Sequence, residues 1–421
     1  RDLHLSIRRQ RQMCIRDRPK TYQYANDMRE SNLRSAVIRL LVTLTFSGCL
    51  LSTALTQAVD KLEYNLQGEV VRLQGQLLES GDPASLLLLH RNNKIQKLAS
   101  ENVLTRTKDA TSFRFVSRDQ MISSLREEFG EEFRIHQTSH YLVCFNTTPE
   151  YARWVATLME RLHRGFFAYW DKRRAAIDVP AHPLVVVIHK DQKSFLEHVD
   201  GDLGESAEFI PGYYNQESNR VNLYDLSLLT ERQANLIRQG SRPGNATQQI
   251  RRVLDHPTAE RNVATVIHEG THQLCFNCGM MRRLSFTPLW LSEGMAIYFE
   301  TPDLNNPKGW FAIGRVNRYN LSYFQRLEQQ NELPDLEALI CSDELFRTGQ
   351  TVRAAYAYAW ALNFYLQQTR PQQYREFVKM QRLHLPLKEQ TQQQRKSMFV
   401  EAFGGNLAGL EQAMRQYLRR L

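Results

Sequence analysis

The chain has 421 residues, of which 42% are hydrophobic and 24% are charged, and its formal net charge is +9. Residues 1–40 hold ten Lys and Arg against four Asp and Glu, so the remaining residues are nearly balanced, at 44 basic and 41 acidic. So small an excess of basic residues is not typical of nucleic-acid binding, and we expect no nucleic-acid partner.

The first 58 residues are expected to lie outside the folded protein. Residues 1–27 resemble translated sequencing-adapter sequence, with a genuine basic tail as the alternative, and are excluded from the predicted fold. Residues 28–58 read as a secretory signal peptide, with Arg residues before an apolar stretch at 40–55 and a cleavage site at Thr56-Gln57-Ala58. We therefore expect an exported protein that is periplasmic, at the cell surface or secreted.

Membrane attachment is expected only through this N-terminal signal region. Cys49 follows Phe46-Ser47-Gly48, which resembles a lipobox with an atypical first position, so ordinary secretion is favoured over lipidation. An uncleaved N-terminal anchor is the other alternative, because the apolar run is short for a spanning helix but does not exclude one.

Residues 60–116 predict a small β-barrel-like module ahead of the main domain. Short apolar segments at 69–73 and 85–89 are separated by Gly81-Asp82-Pro83 and followed by a polar turn at 91–94. This pattern is typical of short strands joined by tight turns. Nothing within the module singles out a binding site.

Residues 118–300 alternate helical and extended patterns, which predicts an α+β fold with a mixed sheet packed on helices. The alternation ends in a hairpin at 212–214 and 220–224, and one of its strands is expected at a sheet edge where a peptide could add as an extra strand. A purely structural hairpin is the alternative. Residues 226–258 have the composition of a loop insertion. The other predicted elements are strands at 141–145 and 184–188 and helices at 120–129, 149–170, 354–368, 374–383, 397–403 and 407–418.

The sequence His268-Glu269-Gly270-Thr271-His272 is an H-E-x-x-H motif that follows an apolar helical run. On a helix, residues four apart lie on one face, so both imidazoles can reach one Zn²⁺. Glu269 is rotated away from the ligand line and can take a proton from a water that the metal activates. A catalytic zinc needs a third protein ligand, and Glu293 in the following helix, with Thr287 as its predicted N-cap, supplies it.

The motif together with residues 290–300 resembles the gluzincin metallopeptidases of clan MA, which combine H-E-x-x-H with a downstream Glu. A longer pattern resembles an exported bacterial family known only as a domain of unknown function with a gluzincin-like core. That resemblance covers roughly residues 60–421 and implies a zincin-like fold, with an upper subdomain at 118–300 and a helical C-terminal subdomain at 301–421. The longer pattern is present at residues 138–141, 212–214, 219–225, 262–265 and 356–362.

The resemblance implies a zinc metallopeptidase that hydrolyses a protein or peptide substrate, with Glu269 as the general base. Tyr356 matches the tyrosine of the family's Y-A-x-x-W pattern and is the first choice for stabilising the oxyanion, ahead of Tyr358 and His256. A core aromatic is the alternative for Tyr356. The position four residues after Glu293 is Ile297 rather than the acid of thermolysin-like enzymes, so Glu300 becomes the candidate for orienting a histidine ligand.

Four cysteines lie beyond the leader, and their role is left open among three interpretations. They can be small buried side chains, disulfide partners in an exported protein, or part of a second metal site. Two of them, Cys275 and Cys278, form a C-x-x-C just after the motif, and the others are Cys144 and Cys341.

Two other classes of function remain open beside the peptidase. One is a zinc-containing binding protein without catalytic activity, which would close the fourth metal position with a protein ligand. Glu269 argues against it, because a structural site needs no base. The other is a cell-surface assembly protein in which the N-terminal β module carries the function.

Overall fold

The computed structural model describes residues 58–203, 210–226, 259–303 and 309–421. The predicted leader, nearly all of the signal peptide with Cys49, the loop insertion after residue 226, and His256 lie outside these residues. The described chain is α+β. It contains one antiparallel sheet and one mixed sheet, and most of its helices follow them. Within it, no helix is both long and apolar enough to cross a bilayer.

The N-terminal sheet is an antiparallel unit of five strands. Its order is β4-β3-β2-β1-β5, and a short 3₁₀ turn at Ser100–Asn102 connects the two outer strands. β2 is shared, because its first part pairs with β1 and its last residues pair with β3. The strands are β1 (Ala58–Leu66), β2 (Glu69–Leu78), β3 (Ser85–Leu89), β4 (Ile95–Ala99) and β5 (Val103–Ser112).

The prediction of a barrel is wrong in one respect, since this sheet does not close. No ladder joins β4 to β5 among the described strands, so each of them keeps a free edge. β2 changes its partner from β1 to β3 after Gly75, where a Cβ would lie 2.4 Å from the carbonyl oxygen of Leu89. A side chain there would clash at this change of partner.

The second sheet is mixed and carries the order β6-β7-β8-β10-β9. Its three central strands are parallel, and the outer two pair antiparallel with their neighbours. The predicted hairpin forms, and its first strand is the edge strand among those that the structure describes. The strands are β6 (Arg134–Gln137), β7 (Tyr141–Phe145), β8 (Leu184–His189), β9 (Gly212–Asn215) and β10 (Arg220–Tyr224).

Alternation along the strands decides which helices cover each face of this sheet. In β7, Tyr141 and Val143 pack toward the main core with the second helix, whereas Leu142 and Cys144 pack against the first helix. The helices before the motif are α1 (Arg118–Phe129), α2 (Pro149–Lys172) and α3 (Gln192–Leu203).

The remaining helices form one continuous apolar core with α2 and the inner face of the sheet. Within it, α5 and α9 make the most extensive helix–helix contact, and both are buried along most of their length. These helices are α4 (Ala259–Asn277), α5 (Leu289–Glu300), α6 (Arg318–Gln329), α7 (Leu336–Cys341), α8 (Glu344–Arg347), α9 (Val352–Thr369), α10 (Pro371–Gln381), α11 (Gln392–Phe403) and α12 (Leu407–Leu418).

Candidate metal centre

Helix α4 places His268 and His272 one turn apart on a buried face, with 5% and 3% of each residue exposed. The residue between them that contacts α2 is Gly270. A Cβ on Gly270 would lie 2.7 Å from Leu162 Cδ2 and 2.8 Å from Met159 Sδ. The absence of a side chain therefore lets α2 lie close behind the motif and fixes the depth of the two histidines.

Helix α5 brings Glu293 to the same point, and its side chain is almost fully buried. The prediction that Thr287 caps this helix is wrong, because Pro288 occupies the cap position without a side-chain cap bond. Asp343, more than fifty residues later, accepts the free N–H of Leu289 at 3.1 Å instead. The cap is a tertiary contact that a local pattern does not reveal.

Close packing against α9 fixes the rotation of α5. A Cβ on Gly294 would lie 2.0 Å from Asn363 Nδ2 and 2.4 Å from the carbonyl oxygen of Ala359. Asn363 is completely buried and donates to the carbonyl oxygen of Trp290 at 2.7 Å. Glu293 precedes Gly294, so this contact determines the direction of the carboxylate.

The three side chains meet as a compact triangle of ligand atoms. The two Nε2 atoms of His268 and His272 lie 3.1 Å apart, and Glu293 Oε2 and Oε1 lie 3.3 Å and 3.4 Å from them respectively. A tetrahedral zinc with bonds of about 2.0–2.1 Å has ligand–ligand separations of about 3.3–3.4 Å. These separations are close to those around one such ion, and the three side chains could hold a metal.

The hydrogen bond between His268 and Glu300 determines which ring nitrogen of His268 carries the proton. His268 Nδ1 donates to Glu300 Oε2 at 2.5 Å, so in the neutral ring Nε2 carries a lone pair. That lone pair faces the carboxylate of Glu293, which also only accepts hydrogen bonds when it is ionised. Acceptors at 3.3 Å in a buried site are stabilised by a cation between them or by a proton on an imidazole.

Electrostatics favours the charged form of Glu293 despite its depth. Burial raises its pKa, but where no cation is bound, the charge of a protonated His272 and hydrogen bonds from protonated imidazoles outweigh burial and hold the pKa well below its usual range. The third ligand candidate is thus a carboxylate, the form that binds a metal.

Glu269 is buried, but its carboxylate contacts the sheet and is not part of the ligand triangle. Its Oε2 accepts the backbone N–H of Tyr214 in β9 at 2.9 Å. Tyr214 lies within β9, which is the edge strand among the described strands of this sheet. The carboxylate next to the first histidine is therefore bound to the strand at that edge, which sequence reasoning did not foresee.

Polar side chains on the last turns of α4 tie the motif helix to the sheet. Gln273 donates to the carbonyl oxygens of Val185 in β8 and Asn219 before β10, at 3.0 Å and 3.1 Å. Asn277 and Asn219 are hydrogen-bonded to each other through their side chains. These bonds set the distance between the helix and the strands above it.

The structure places the predicted oxyanion residue within the helical core. Tyr356 is 3% exposed, and its ring makes an edge-to-face contact with Phe346 in α8 at 5.1 Å. The alternative candidate Tyr358 donates its hydroxyl hydrogen to Glu411 in α12 at 2.7 Å. Tyr358 is therefore committed to a structural contact, while the role of Tyr356 stays a prediction.

All four cysteines described by the structure are buried and free. Cys275 packs between α4 and α5, with its Sγ 3.3 Å from the Sδ of Met295. Burial raises the pKa of Cys278 to about 12, so this thiol is protonated at neutral pH. The arrangement agrees with the interpretation as small buried side chains, and the described residues contain no second cluster of metal-binding side chains.

Residues 262–388 match the model of a family described as a protein of unknown function, DUF1570. The match begins in the first turn of α4 and includes both ligand-bearing helices and α9. The prediction of a domain of unknown function is confirmed over this segment. No curated protein matches the chain.

Proposed function

We propose that the protein is a zinc-dependent metallopeptidase of the gluzincin type. The observation that carries this proposal is the combination of a three-ligand triangle with a further buried acid, Glu269, which follows the first histidine and lies outside the ligand set. A structural zinc site has four protein ligands, whereas a catalytic site has three and keeps one position open. Three ligands among the described residues, together with an acid next to the first histidine in the sequence, favour a catalytic site.

Two imidazole nitrogens and one carboxylate oxygen favour zinc as the metal. His268, His272 and Glu293 would hold it, and Glu300 would orient His268 from behind. When bound, Zn²⁺ supplies Lewis acidity, which polarises a carbonyl group and makes a water molecule more acidic.

The remaining steps, proton transfer and stabilisation of the oxyanion, are assigned to two side chains. Glu269 accepts a proton from the water that attacks the peptide carbonyl, and it passes this proton to the amine that leaves. The resemblance to gluzincins assigns stabilisation of the oxyanion to Tyr356 in α9, which the family pattern places there. Burial of the charged groups strengthens each of these interactions relative to water.

The layout of the sheet supports a zincin-like core and a peptide substrate. A mixed sheet lies on the motif helix, and its antiparallel edge strand β9 contacts Glu269 directly. A peptide could add to this edge as a further strand, with its backbone beside the ligand triangle. Export through the signal sequence at 28–58 belongs to the same proposal, and N-terminal sequencing of exported protein would test it.

The first experiment loads the purified protein with Zn²⁺ and measures metal content by mass spectrometry. We expect one zinc per chain, and we expect His272→Ala to lose it. Unchanged zinc in His272→Ala would contradict the ligand assignment.

The second experiment incubates the zinc-loaded protein with a peptide library and reads cut sites by mass spectrometry. Glu269→Gln is expected to keep the zinc and lose hydrolysis by a factor of about 10²–10⁴. Glu260→Gln is the matched control, because Glu260 is an exposed acid in the first turn of the same helix. Zinc without any hydrolysis by the wild type would favour the non-catalytic binding protein instead.

A further inference from the structure

The N-terminal β module contacts the core beside the hairpin of the candidate site. The backbone N–H of Ile95, at the start of β4, donates to the carbonyl oxygen of Glu217 in the β9–β10 turn at 2.8 Å. Next to it, Lys94 binds Glu128 at 3.1 Å, and Glu128 in turn forms a two-bond pair with Arg220 at the start of β10. The β3–β4 turn of the module is thus joined to both ends of the hairpin turn.

Arg283 joins three separate segments at this place. It lies in the connection between α4 and α5, the two helices that carry the ligands. Its Nη1 donates to the carbonyl oxygens of Asn93 and Gln216 at 2.9 Å and 3.2 Å, and its Nη2 donates to Asn93 Oδ1 at 2.9 Å. The planar guanidinium is suited to such a bridge because it presents several donors in fixed directions.

Asn93 has the conformation and the side chain that this bridge requires. Its φ of 66° lies in the left-handed region, which Asn tolerates better than most residues. It is 5% exposed, and its amide group donates to His182 while its oxygen accepts from Arg283. A second bond from the same connection reaches the hairpin, since Leu284 N–H donates to Gln216 Oε1 at 2.6 Å.

Gln216 lies two residues after Tyr214, whose N–H binds the carboxylate of Glu269. A shift of the turn at Gln216 therefore moves the edge strand and the partner of the proposed base together. We propose that Arg283 is a positioning residue that fixes β9 against Glu269, and that the β module is an integral part of the site because its Asn93 holds Arg283. This inference rests on the proposed function for its catalytic consequence, but its structural part does not.

The test compares Arg283→Met and Asn93→Gly with the wild-type full chain. Met keeps the length of the side chain without its donors, and Gly keeps the left-handed backbone at position 93 while removing the amide. Arg282→Ala is the matched control, since the neighbouring Arg282 also links core and module, through an exposed pair with Glu79 at 3.3 Å.

Amide hydrogen exchange measures the edge strand without any substrate. We expect residues 212–219 to exchange on the order of tenfold faster in both variants, with zinc content unchanged, and at the wild-type rate in Arg282→Ala. Unchanged exchange at 212–219 in both variants, or a uniform increase over the whole chain, overturns the proposal. If Arg283→Met does not fold, Asn93→Gly decides alone.

Turnover gives the second measurement once a cleaved peptide is known. We expect kcat to fall on the order of tenfold in both variants at full zinc occupancy and to stay at the wild-type value in Arg282→Ala. A lower Tm with unaltered kcat overturns the positioning role, because it shows a contribution to stability alone. If the wild type cleaves no peptide, the proposed function fails, and the exchange measurement still decides whether the module holds β9.

Discussion

The ligand-bearing helices and the N-terminal β module use charged side chains in opposite ways. In the module, the ion pairs keep at least one partner in contact with water: Arg72 and Glu63 are 84% and 37% exposed at the side chain, and the buried Asp60 pairs with Arg106, which is 49% exposed. In α4 and α5, His268 and Glu293 are 6% and 2% exposed at the side chain and face each other at 3.3 Å. Exposed pairs contribute about 0–1 kcal/mol and tolerate change, whereas buried charges are costly unless they are compensated.

The difference indicates where a function is located. A buried set of acceptors that face each other does not stabilise a fold by itself, so its presence points to a ligand that completes it. The pairs of the module need no ligand, because each carboxylate there already faces a basic side chain, including the buried Asp60 beside Arg106. Four predictions test this contrast, in order of decreasing expected effect.

The largest expected effect is on turnover and concerns Tyr356 in α9, the helix that packs against α5. Tyr356→Phe should lower kcat by about 10²–10³, or roughly 2.7–4 kcal/mol, because it removes the proposed oxyanion donor and keeps the ring. Steady-state kinetics on a cleaved peptide, with zinc content measured in parallel, is the check. Tyr358→Phe serves as the control, since its hydroxyl binds Glu411. Equal turnover in Tyr356→Phe and wild type would make Tyr356 a core aromatic.

The next effect concerns metal affinity. Glu300→Gln should weaken zinc binding about 10–100-fold, because the amide no longer fixes the protonated Nδ1 of His268 with a charge. Competition with a zinc chelator measures the change, and the exposed Glu260→Gln is again the comparison. An affinity equal to that of the wild type would show that the 2.5 Å contact does not tune the ligand.

A third prediction addresses the packing that orients Glu293. Gly294→Ala should destabilise the fold by about 1–3 kcal/mol, since its Cβ would meet the backbone oxygen of Ala359 at 2.4 Å. Urea unfolding monitored by circular dichroism gives the free energy of unfolding. Gly349→Ala is the control, because a Cβ there has no neighbour within 4 Å. Equal losses in the two variants would refute the steric explanation.

The smallest effect is a pH dependence at the boundary between the module and the core. Burial raises the pKa of Glu128, but the bonds to Arg220 and the charge of Lys94 lower it to about 2. Because the pKa of Glu128 is lower in the folded state than in the unfolded state, ionised Glu128 stabilises the fold at pH values above the unfolded pKa of about 4.5. This stabilisation is lost as the pH falls toward about 2. After allowance for partial exposure, the contribution is about 1–2 kcal/mol.

Acid unfolding of the wild type and Glu128→Gln tests this contribution. The wild type should be the more stable protein at pH 6, and the difference should shrink between about pH 4.5 and about pH 2. A difference that is constant over this window would mean that Glu128 contributes through packing rather than charge. Glu150→Gln, which removes an exposed i,i+3 pair with Arg153, should show almost no difference.

Sequence patterns predicted correctly those helices and strands whose limits depend on residues close in sequence. The helix predicted at 407–418 has those limits in the structure, because its apolar stripe and Asn406 cap lie within the segment itself. β5 was missed since it is mostly exposed and contains no apolar alternation. The cap of α5 was assigned to Thr287 because the true partner, Asp343, is distant in sequence.

In the candidate site, too, contacts between residues close in sequence were predicted and contacts between distant residues were not. Spacing on a helix was enough to join His268 and His272, and a Glu on the next helix completed the set. The bond between Glu269 and Tyr214 depends on how a strand lies above the helix, which no spacing contains. The identity of the edge strand was likewise open in the sequence, because both strands of the hairpin have similar composition.

The separations in sequence of these contacts suggest the order in which the site forms. His268 and Glu293 are 25 residues apart, Tyr214 and Glu269 are 55 apart, and Arg283 and Asn93 are 190 apart. Closing a short loop costs less chain entropy than closing a long one. During folding we therefore expect the three proposed ligands to come together first, the bond between Glu269 and the edge strand next, and the docking of the module last, so that the proposed metal site assembles before the proposed base is positioned.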